Sequence, residues 1–307
     1  MDIKRLELLR ELSERGTVGA VADATGVTPS AVSQQLKVLE QEAGTPLTEP
    51  AGRGIALTVA GRALVQTATE IAIAVERAES RWHDFMKQPA GDVTLTTFPT
   101  GGEMLLPQVL ARLADVPGLR LVCTDQDPLL PDFADLTPDF DIVLADSPVN
   151  SPSWRDRGLL VVPLMSEPLD VALPESHRLA KKTKLTAKDL AGEIWIGAPV
   201  NFPYDRILQE IEAVNGVPAI VAQRFMDNGI VESMVAAGQG IAILPRYTTR
   251  DRENGLITRP LAGVQTRRDI SALMRPDRAE RPSVQLVVET LKQEAEKLAA
   301  SHTKAAG

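Results

Sequence analysis

The side chains whose types and spacing best suit a chemical task lie between residues 28 and 37. Ser30, Ser33, Gln34 and Lys37 recur at positions i, i+3, i+4 and i+7, so they share one face of a helix formed there. A glutamine amide can make two hydrogen bonds to adenine in the DNA major groove, whereas hydroxyl and ammonium groups suit phosphates. The alternative is the solvated polar face of an ordinary helix. The candidate DNA contacts are therefore the polar residues of this face and the residues that open it: Thr28, Pro29, Ser30, Ser33, Gln34 and Lys37.

Three short helices are predicted to position this face. Ala22, Gly26 and Val32 have the spacing of a helix-turn-helix, which needs a small residue at the helix contact, a turn glycine and a branched apolar anchor. Residues 45–57 contain two prolines and two glycines, which favour a small β-wing. Each predicted helix has a capping residue at its start and a glycine at its end: Asp2 and Gly16, Thr17 and Gly26, Thr28 and Gly44.

Residues 58–88 predict one long helix with an apolar seam. The seam residues step by four and three alternately, which is the heptad pattern of helices that pair with a second chain. Packing of the seam on its own domain is the alternative. The seam residues are Leu64, Ala68, Ile71, Val75, Ala78, Trp82 and Phe85.

After residue 91, short apolar strands alternate with helices, which predicts parallel α/β sheets. The strand-like runs form two sets, so we expect two similar lobes with a cleft between them. The segments near 267–275 and 282–300 are expected to return to the first lobe. The first set is DVTLTTF, LRLVCTD and FDIVLAD, and the second is LDVALP, EIWIGA, AIVAQRF and GIAILP.

The cleft is the predicted site of a small ligand, because ligands of α/β sheets bind outside the carboxyl ends of the strands. Thr100, Gly101 and Gly102 open a helix after the first strand, where free N–H groups favour an anion such as a carboxylate. Met226 and Asp227 are weaker candidates. A plain strand-to-helix turn is the alternative. The candidates across the cleft follow another strand: Gly197, Val200, Asn201 and Phe202.

Several classes of protein are disfavoured. The net charge of −8 argues against non-specific coating of nucleic acid, although it permits a small DNA-reading module on an acidic body. We find no nucleophile elbow, phosphate loop or metal-ligand spacing, so we expect no enzyme activity, metal or cofactor. Cys123 is the single cysteine, and its apolar strand favours a core position over redox sensing. The absence of a signal-like start and of an 18-residue apolar run predicts a cytoplasmic protein without membrane contact.

The run TPSAVSQQLKVLEQEAGTPL, followed by LTVAG, closely resembles the LysR-type transcriptional regulators, most of all actinobacterial members. The resemblance continues through FPTGGEMLLPQVLARL, VALPESHRLA, DLAGEIWIG and VAAGQGIAILPR, so it covers nearly the whole chain. It implies a winged helix-turn-helix, a dimerising linker helix and a two-lobed α/β effector domain like a type-2 periplasmic binding protein. It also implies a homodimer or homotetramer on a partly palindromic operator, with DNA contacts modulated by a small-molecule effector.

The resulting division places the DNA-binding domain at 1–57, the linker helix at 58–88 and the effector domain at 89–307. Lobe 1 is expected at about 89–160 and 266–300, and lobe 2 at about 161–265. An α/β enzyme or a solute-binding protein with a helical accessory domain is the alternative function.

This sequence departs from the family pattern in the wing. The family commonly has L-F-x-R after the recognition helix, whereas this chain has Leu47, Thr48, Glu49 and Pro50. The aromatic anchor and the phosphate-binding arginine are both absent from that motif. Arg53 is the nearest substitute and completes the candidate DNA contacts.

Overall fold

The computed structural model describes residues 1–51, 54–85, 91–148, 154–200, 202–249 and 255–305. Its helices are α1 (Ile3–Arg15), α2 (Val18–Thr25), α3 (Pro29–Ala43), α4 (Val59–Phe85), α5 (Pro99–Leu113), α6 (Pro203–Asn215), α7 (Asn228–Ala236) and α8 (Pro282–Ala305). Its strands are β1 (Thr48–Ala51), β2 (Gly54–Leu57), β3 (Gly91–Thr97), β4 (Leu119–Asp125), β5 (Ile142–Pro148), β6 (Leu160–Pro174), β7 (Leu185–Thr186), β8 (Ile194–Gly197), β9 (Ile220–Arg224), β10 (Ala242–Pro245), β11 (Leu256–Arg259), β12 (Leu261–Ala262) and β13 (Arg267–Met274).

The three N-terminal helices begin and end at the predicted capping residues. The side chains of Asp2, Thr17 and Thr28 each accept a hydrogen bond from a backbone N–H of the first turn, at 2.7, 3.1 and 3.2 Å. The glycine that ends each helix has a positive φ of about 70°, which other residues rarely adopt. Local sequence signals therefore set the bounds of α1, α2 and α3, and the predicted helix-turn-helix is confirmed.

A small apolar core holds these helices together. Leu9, Val21, Val32, Leu39 and Leu47 are all buried in it. Leu47 lies just before the wing, where the family pattern has its apolar residues, and it anchors the wing without an aromatic side chain. The wing is the antiparallel pair of β1 and β2.

The apolar seam of α4 is divided between two environments. Ala68 is buried in the N-terminal core, and Leu64 and Ile71 pack against it. Val75 and Trp82 are exposed, at 36% and 61% of their surface. The first half of the seam therefore packs on its own domain, and the surface open to a second chain is shorter than predicted. Ala78 is also exposed, and the side chain of Phe85 lies outside the described residues.

The main sheet of the C-terminal region has the strand order β10-β6-β13-β5-β3-β4, with β11 also paired to β6. Strand β3 is parallel to β4 and β5, as the α/β pattern predicts. Strand β13 is antiparallel to both β5 and β6, which the prediction of parallel sheets missed. The reason is connectivity: the chain leaves the first lobe through β6 and re-enters it through β13, so these two strands must run in opposite directions.

Strand β6 belongs to both lobes. Its residues 160–168 pair with β13, and Leu164 lies in the core of the first lobe. Its residues 169–174 pair with β10 and β11, and Leu169 lies in the core of the second lobe. The passage between lobes therefore falls near residue 168 rather than at residue 160.

Helix α1 packs against the C-terminal region through buried ion pairs. Arg275, one residue beyond β13, contacts Glu11 of α1 at 2.9 Å, and Arg10 contacts Asp277 at 3.0 Å. Only 2% of Arg10 and 3% of Arg275 is exposed. We call these four residues the interdomain ion-pair cluster. In the part of the chain that the structure describes, no helix is both long enough and apolar enough to cross a membrane.

Candidate functional site

The polar face of α3 is available on the surface of the N-terminal domain. Gln34 and Lys37 are exposed in its middle, whereas Ser33 is half-buried. Val32 and Leu36 point the other way, into the core. The face thus separates from the core as the sequence predicts. The residues exposed at its start are Thr28, Pro29 and Ser30.

Glu40 is turned away from this face and fixes the wing instead. One carboxylate oxygen of Glu40 accepts hydrogen bonds from the backbone N–H groups of Leu47 and Thr48, both at 2.9 Å, and from the Thr48 hydroxyl at 3.0 Å. Burial opposes the charge of Glu40, but these hydrogen bonds prevail and lower its pKa. The first carboxylate after the predicted DNA contacts on α3 is thus already engaged.

Gln35 is not part of the reading face, because its side-chain oxygen accepts a 2.9 Å hydrogen bond from Arg5. Thr28 both caps α3 and lies 3.0 Å from the Ser30 hydroxyl. Arg53, the predicted wing contact, lies outside the described residues.

The second site is a cavity of about 350 Å³ whose walls come from both lobes of the C-terminal region. This volume suits a small organic ligand. One wall is the start of α5, and the facing wall is the start of α6 with the turn before α7. The large apolar and aromatic residues that line it are Phe98, Ile196, Phe202, Tyr204, Phe225, Met226, Val231 and Ile243.

Arg268 forms the polar floor of this cavity. Its guanidinium donates to Glu167 at 2.6 and 2.9 Å, to Asp146 at 3.0 Å and to the Thr100 hydroxyl at 2.7 Å. It also lies 4.9 Å from the centre of the Phe98 ring, within cation–π range. Burial disfavours the charged guanidinium, but the acidic groups around it hold the pKa of Arg268 above its ordinary value. Four hydrogen bonds thus already engage the Arg268 guanidinium within the protein itself.

Asp127 adds a further carboxylate to the lining. It is half-buried, and no hydrogen bond or ion pair reaches it from the described residues. Burial raises its pKa to about 6, with a smaller contribution from the charge of Asp146, although Arg268 acts in the opposite direction. Asp127 is thus a half-buried carboxylate of the lining that a bound ligand could reach.

The predicted cleft residues are only partly brought together. Thr100 and Phe202 line the cavity, as do Met226 and Asp227. Val200 is outside the lining and is 58% exposed. Asn201 lies outside the described residues.

The predicted glycines serve the packing of the protein rather than the approach of a ligand. A Cβ atom on Gly101 would lie 2.7 Å from the Phe98 ring, and one on Gly102 would lie 3.0 Å from a methyl group of Thr97. A Cβ atom on Gly197 would lie 3.3 Å from the Arg224 guanidinium. None of the three glycines lines the cavity. Close packing thus accounts for all three glycines, and the approach of a ligand to them stays a prediction.

The most important charged residues of the cavity were missed from the sequence. Arg268 follows another arginine at the start of β13, so the sequence pattern does not single it out. Asp146, by contrast, interrupts the apolar and almost fully buried strand β5, where a charge needs a partner. That was the available signal. The pairing itself could not be anticipated, because Glu167 and Asp146 are 101 and 122 residues from Arg268.

The expectation of a carboxylate ligand also meets a difficulty. Helices α5 and α6 begin at the cavity without side-chain caps, which favours an anion. Two helix ends supply about one positive charge in total. Asp146 and Glu167 together carry one more negative charge than Arg268 neutralises. Asp127, when ionised, adds a second negative charge. The cavity is therefore acidic.

Comparison with known proteins covers almost the whole chain. The protein-family model described as "LysR substrate binding domain" matches residues 86–296. The family model described as "Bacterial regulatory helix-turn-helix protein, lysR family" matches residues 3–62. A hydrogen peroxide-inducible genes activator of Pectobacterium carotovorum subsp. carotovorum is 25% identical over 296 residues, which are 95% of this chain and 96% of the relative.

Solved structures share the fold of the full chain. Full-length OxyR from Pseudomonas aeruginosa matches with a TM-score of 0.61 at 19% identity, over 95% of this chain and 98% of that one. Full-length CbnR, complexed with its target DNA, matches with a TM-score of 0.53 at 20% identity, over 96% and 100%.

Proposed function

The chain belongs to the LysR family of bacterial helix-turn-helix transcriptional regulators, and from this premise we propose which of its surfaces perform the function. LysR-type regulators bind operator DNA through the N-terminal domain and carry a C-terminal effector-binding domain. We assign operator reading to the exposed face of α3 and effector binding to the cavity between the lobes.

One observation carries the DNA assignment: the exposed face of α3 has donors and no free carboxylate. Gln34 is placed for base edges, and Lys37 for a phosphate. Glu40, which would repel phosphates from the end of this face, is held by the wing. CbnR, whose structure was solved with its target DNA, shares the fold that presents the face.

A gel-shift experiment tests the assignment. Full-length protein is titrated with labelled duplex from the intergenic region beside its own gene, against unlabelled random duplex at physiological salt. We expect a preference of about a thousandfold or more for the native fragment. Gln34→Ala should cost about 1–3 kcal/mol of that specific affinity, the value of a bidentate base contact. Ser33→Ala should also weaken binding to the native fragment, because it removes a phosphate contact.

Gln66→Ala is the matched control, because Gln66 is an exposed glutamine on α4, outside the reading face of α3. It should bind like the wild-type protein. Unchanged affinity in both Gln34→Ala and Ser33→Ala would contradict the assigned roles, provided that circular dichroism shows all variants folded.

We infer that a homodimer forms through the exposed half of the α4 seam, at Val75, Ala78 and Trp82. A charge at the centre of an apolar helix pair is unfavourable. Val75→Glu should therefore shift sedimentation toward the monomer, whereas Gln66→Glu, on the opposite side of α4, should not. An unaltered dimer in Val75→Glu would place the interface elsewhere. A homotetramer on a partly palindromic operator extends the same proposal.

The proposed division of the chain is a DNA-binding domain at 1–57, a linker helix at 58–88 and an effector domain from 89. We move the passage between lobes to about residue 168, because residues 160–168 of β6 pair within the first lobe. A regulator that acts on chromosomal DNA is proposed to work in the cytoplasm.

The effector is proposed to be a small molecule rather than peroxide acting at a cysteine. The name of the Pectobacterium relative concerns hydrogen peroxide, but this chain has one cysteine only. Burial raises the pKa of the Cys123 thiol, which disfavours the reactive thiolate. The cavity, by contrast, has room and polar groups for a ligand.

A further inference from the structure

The charges around the cavity do not balance. Glu167 and Asp146 are 0% and 4% exposed, and Arg268 is the one cation that bonds to both. The nearby guanidinium of Arg246 does not correct the count, because Asp170 holds it by two hydrogen bonds of 2.6 Å. Glu167 also accepts a 3.0 Å hydrogen bond from the Tyr247 N–H, which offsets part of the cost of its burial. That bond adds no positive charge, so the two carboxylates still exceed Arg268 by one negative charge.

Asp127 places a second, accessible carboxylate in the same cavity. It is half-buried beside the lining and receives no hydrogen bond or ion pair from the residues that the structure describes. Glu103 and Asp227 stand at the exposed edge of the lining and add the same sign of charge. Among the described lining residues, Arg268 alone is positively charged, and it is already engaged.

The rest of the wall is suited to the same kind of ligand. Phe98, Phe202, Tyr204 and Phe225 are the aromatic residues of the lining. Arg268 already lies over the rings of Phe98 and Tyr204, at 4.9 and 5.7 Å from their centres, so Phe202 and Phe225 are the rings left for a ligand. The faces of aromatic rings attract cations, and their area accommodates an apolar body. Aromatic walls and surplus carboxylates together distinguish this cavity from one built for an anion.

We propose that the effector carries a protonated amine on an apolar body, with its ammonium group beside Asp127 and its apolar part against the aromatic walls. The proposal rests on the effector-binding role assigned to the cavity. It names the ligand class of that site: an organic ammonium ion rather than a simple carboxylate.

Two probes of similar shape and opposite charge test it, namely 2-phenylethylammonium and 3-phenylpropanoate. Each is titrated into the purified full-length protein by isothermal titration calorimetry, without DNA. We expect the ammonium probe to bind at least about tenfold more tightly, since one accessible ion pair near a protein surface is worth a factor of that size. Asp127→Asn should strongly reduce the preference, because it removes the accessible charge and keeps the shape, while the other carboxylates of the cavity remain.

Asp125→Asn is the matched control. Asp125 is exposed, lies two residues earlier at the end of β4 and does not line the cavity. This variant should keep the preference of the wild-type protein for the ammonium probe.

The pH dependence gives a second measurement of the same interaction. Asp127, whose pKa is about 6, faces Asp146 and Arg268 inside the cavity, with Glu103 and Asp227 at its edge. Protonation of Asp127 removes the negative charge, so affinity for the ammonium probe should fall about tenfold between pH 7 and pH 5. Asp127→Asn should flatten the profile, because it removes the group that titrates with a pKa of about 6.

Tighter binding of 3-phenylpropanoate would overturn the proposal. The absence of binding by either probe would also overturn it. So would a difference in affinity between the two probes that is the same in Asp127→Asn as in the wild-type protein. Because the titration contains no DNA, its failure is distinct from a failure of the proposed operator reading, which the gel-shift experiment reports separately.

Discussion

Arg268 is the residue on which the polar part of the cavity depends. Four hydrogen bonds tie it to two buried carboxylates and one hydroxyl on three other segments of the chain. Such a group adds little net stability when complete, because burying its charges is costly. Its removal is different, since it leaves Glu167 and Asp146 buried without a cation.

Arg268→Met is therefore expected to lower the free energy of unfolding by about 3–5 kcal/mol. The neighbouring Arg267→Met is the control, because Arg267 is exposed and makes a single 3.1 Å hydrogen bond to Ser166. It should cost no more than about 0.5 kcal/mol. Urea titration followed by circular dichroism measures both, and an equal effect of the two substitutions would contradict the role given to the buried charges.

The close contact between α4 and the segment that enters the wing requires a glycine at one position. Gly61 lies in the first turn of α4, where a Cβ atom would stand 2.1 Å from the carbonyl oxygen of Leu47. Its backbone conformation is ordinary, so the requirement is close approach and not an unusual φ. Thr58 tightens the same junction by capping α4 through the Gly61 N–H at 3.0 Å.

Gly61→Ala is expected to displace α4 from the wing and to cost about 1–3 kcal/mol or more. Gly19→Ala is the matched control, because Gly19 is also helical and has nothing within 4 Å of an added Cβ atom. It should be stabilising by about 0.5–1 kcal/mol. Thermal unfolding of the two variants makes the comparison, and a neutral Gly61→Ala would show that the two elements can separate at little cost.

At the scale of the whole molecule, one strand connects the two functional regions. Arg268 lies near the start of β13 at the cavity, and Arg275 lies just past its end in the interdomain ion-pair cluster. Seven residues of extended strand span roughly 23 Å. Burial opposes the charge of Glu11, but hydrogen bonds from Arg15 and Arg275 still lower its pKa. The cluster thus holds α1 against the effector domain of the same chain as long as its carboxylates stay ionised.

Arg275→Met should release α1 from this contact. The expected loss is about 1–3 kcal/mol of local stability, because Glu11 loses one of its two arginine partners and keeps only Arg15. Hydrogen exchange of the α1 amides measures it. Arg112→Met is the control: its guanidinium is 40% exposed and pairs with Glu294 within the effector domain, so it should cost at most about 1 kcal/mol. Unchanged exchange in α1 of the Arg275 variant would mean that the domains are held by other contacts.

Much of this protein follows from local signals in its sequence. Capping residues, turn glycines and apolar periodicity depend on neighbours within a few positions, so they predict the first three helices, the wing, α4 and the alternating strands. Even the outward face of α3 could be derived, because helix geometry alone separates Gln34 and Lys37 from Val32 and Leu36.

Only the tertiary structure decided which of these features meet. The division of the α4 seam required knowing that Ala68 falls against the N-terminal core. The acidic character of the cavity required Arg268 to meet Glu167 and Asp146, which sequence separation hides. The antiparallel direction of β13 required knowing that the chain leaves the first lobe through β6 and returns to it through β13. In each case the stabilising free energy comes from burial and from ion pairs between residues far apart in the chain. Periodicity along the sequence does not show which distant residues come into contact.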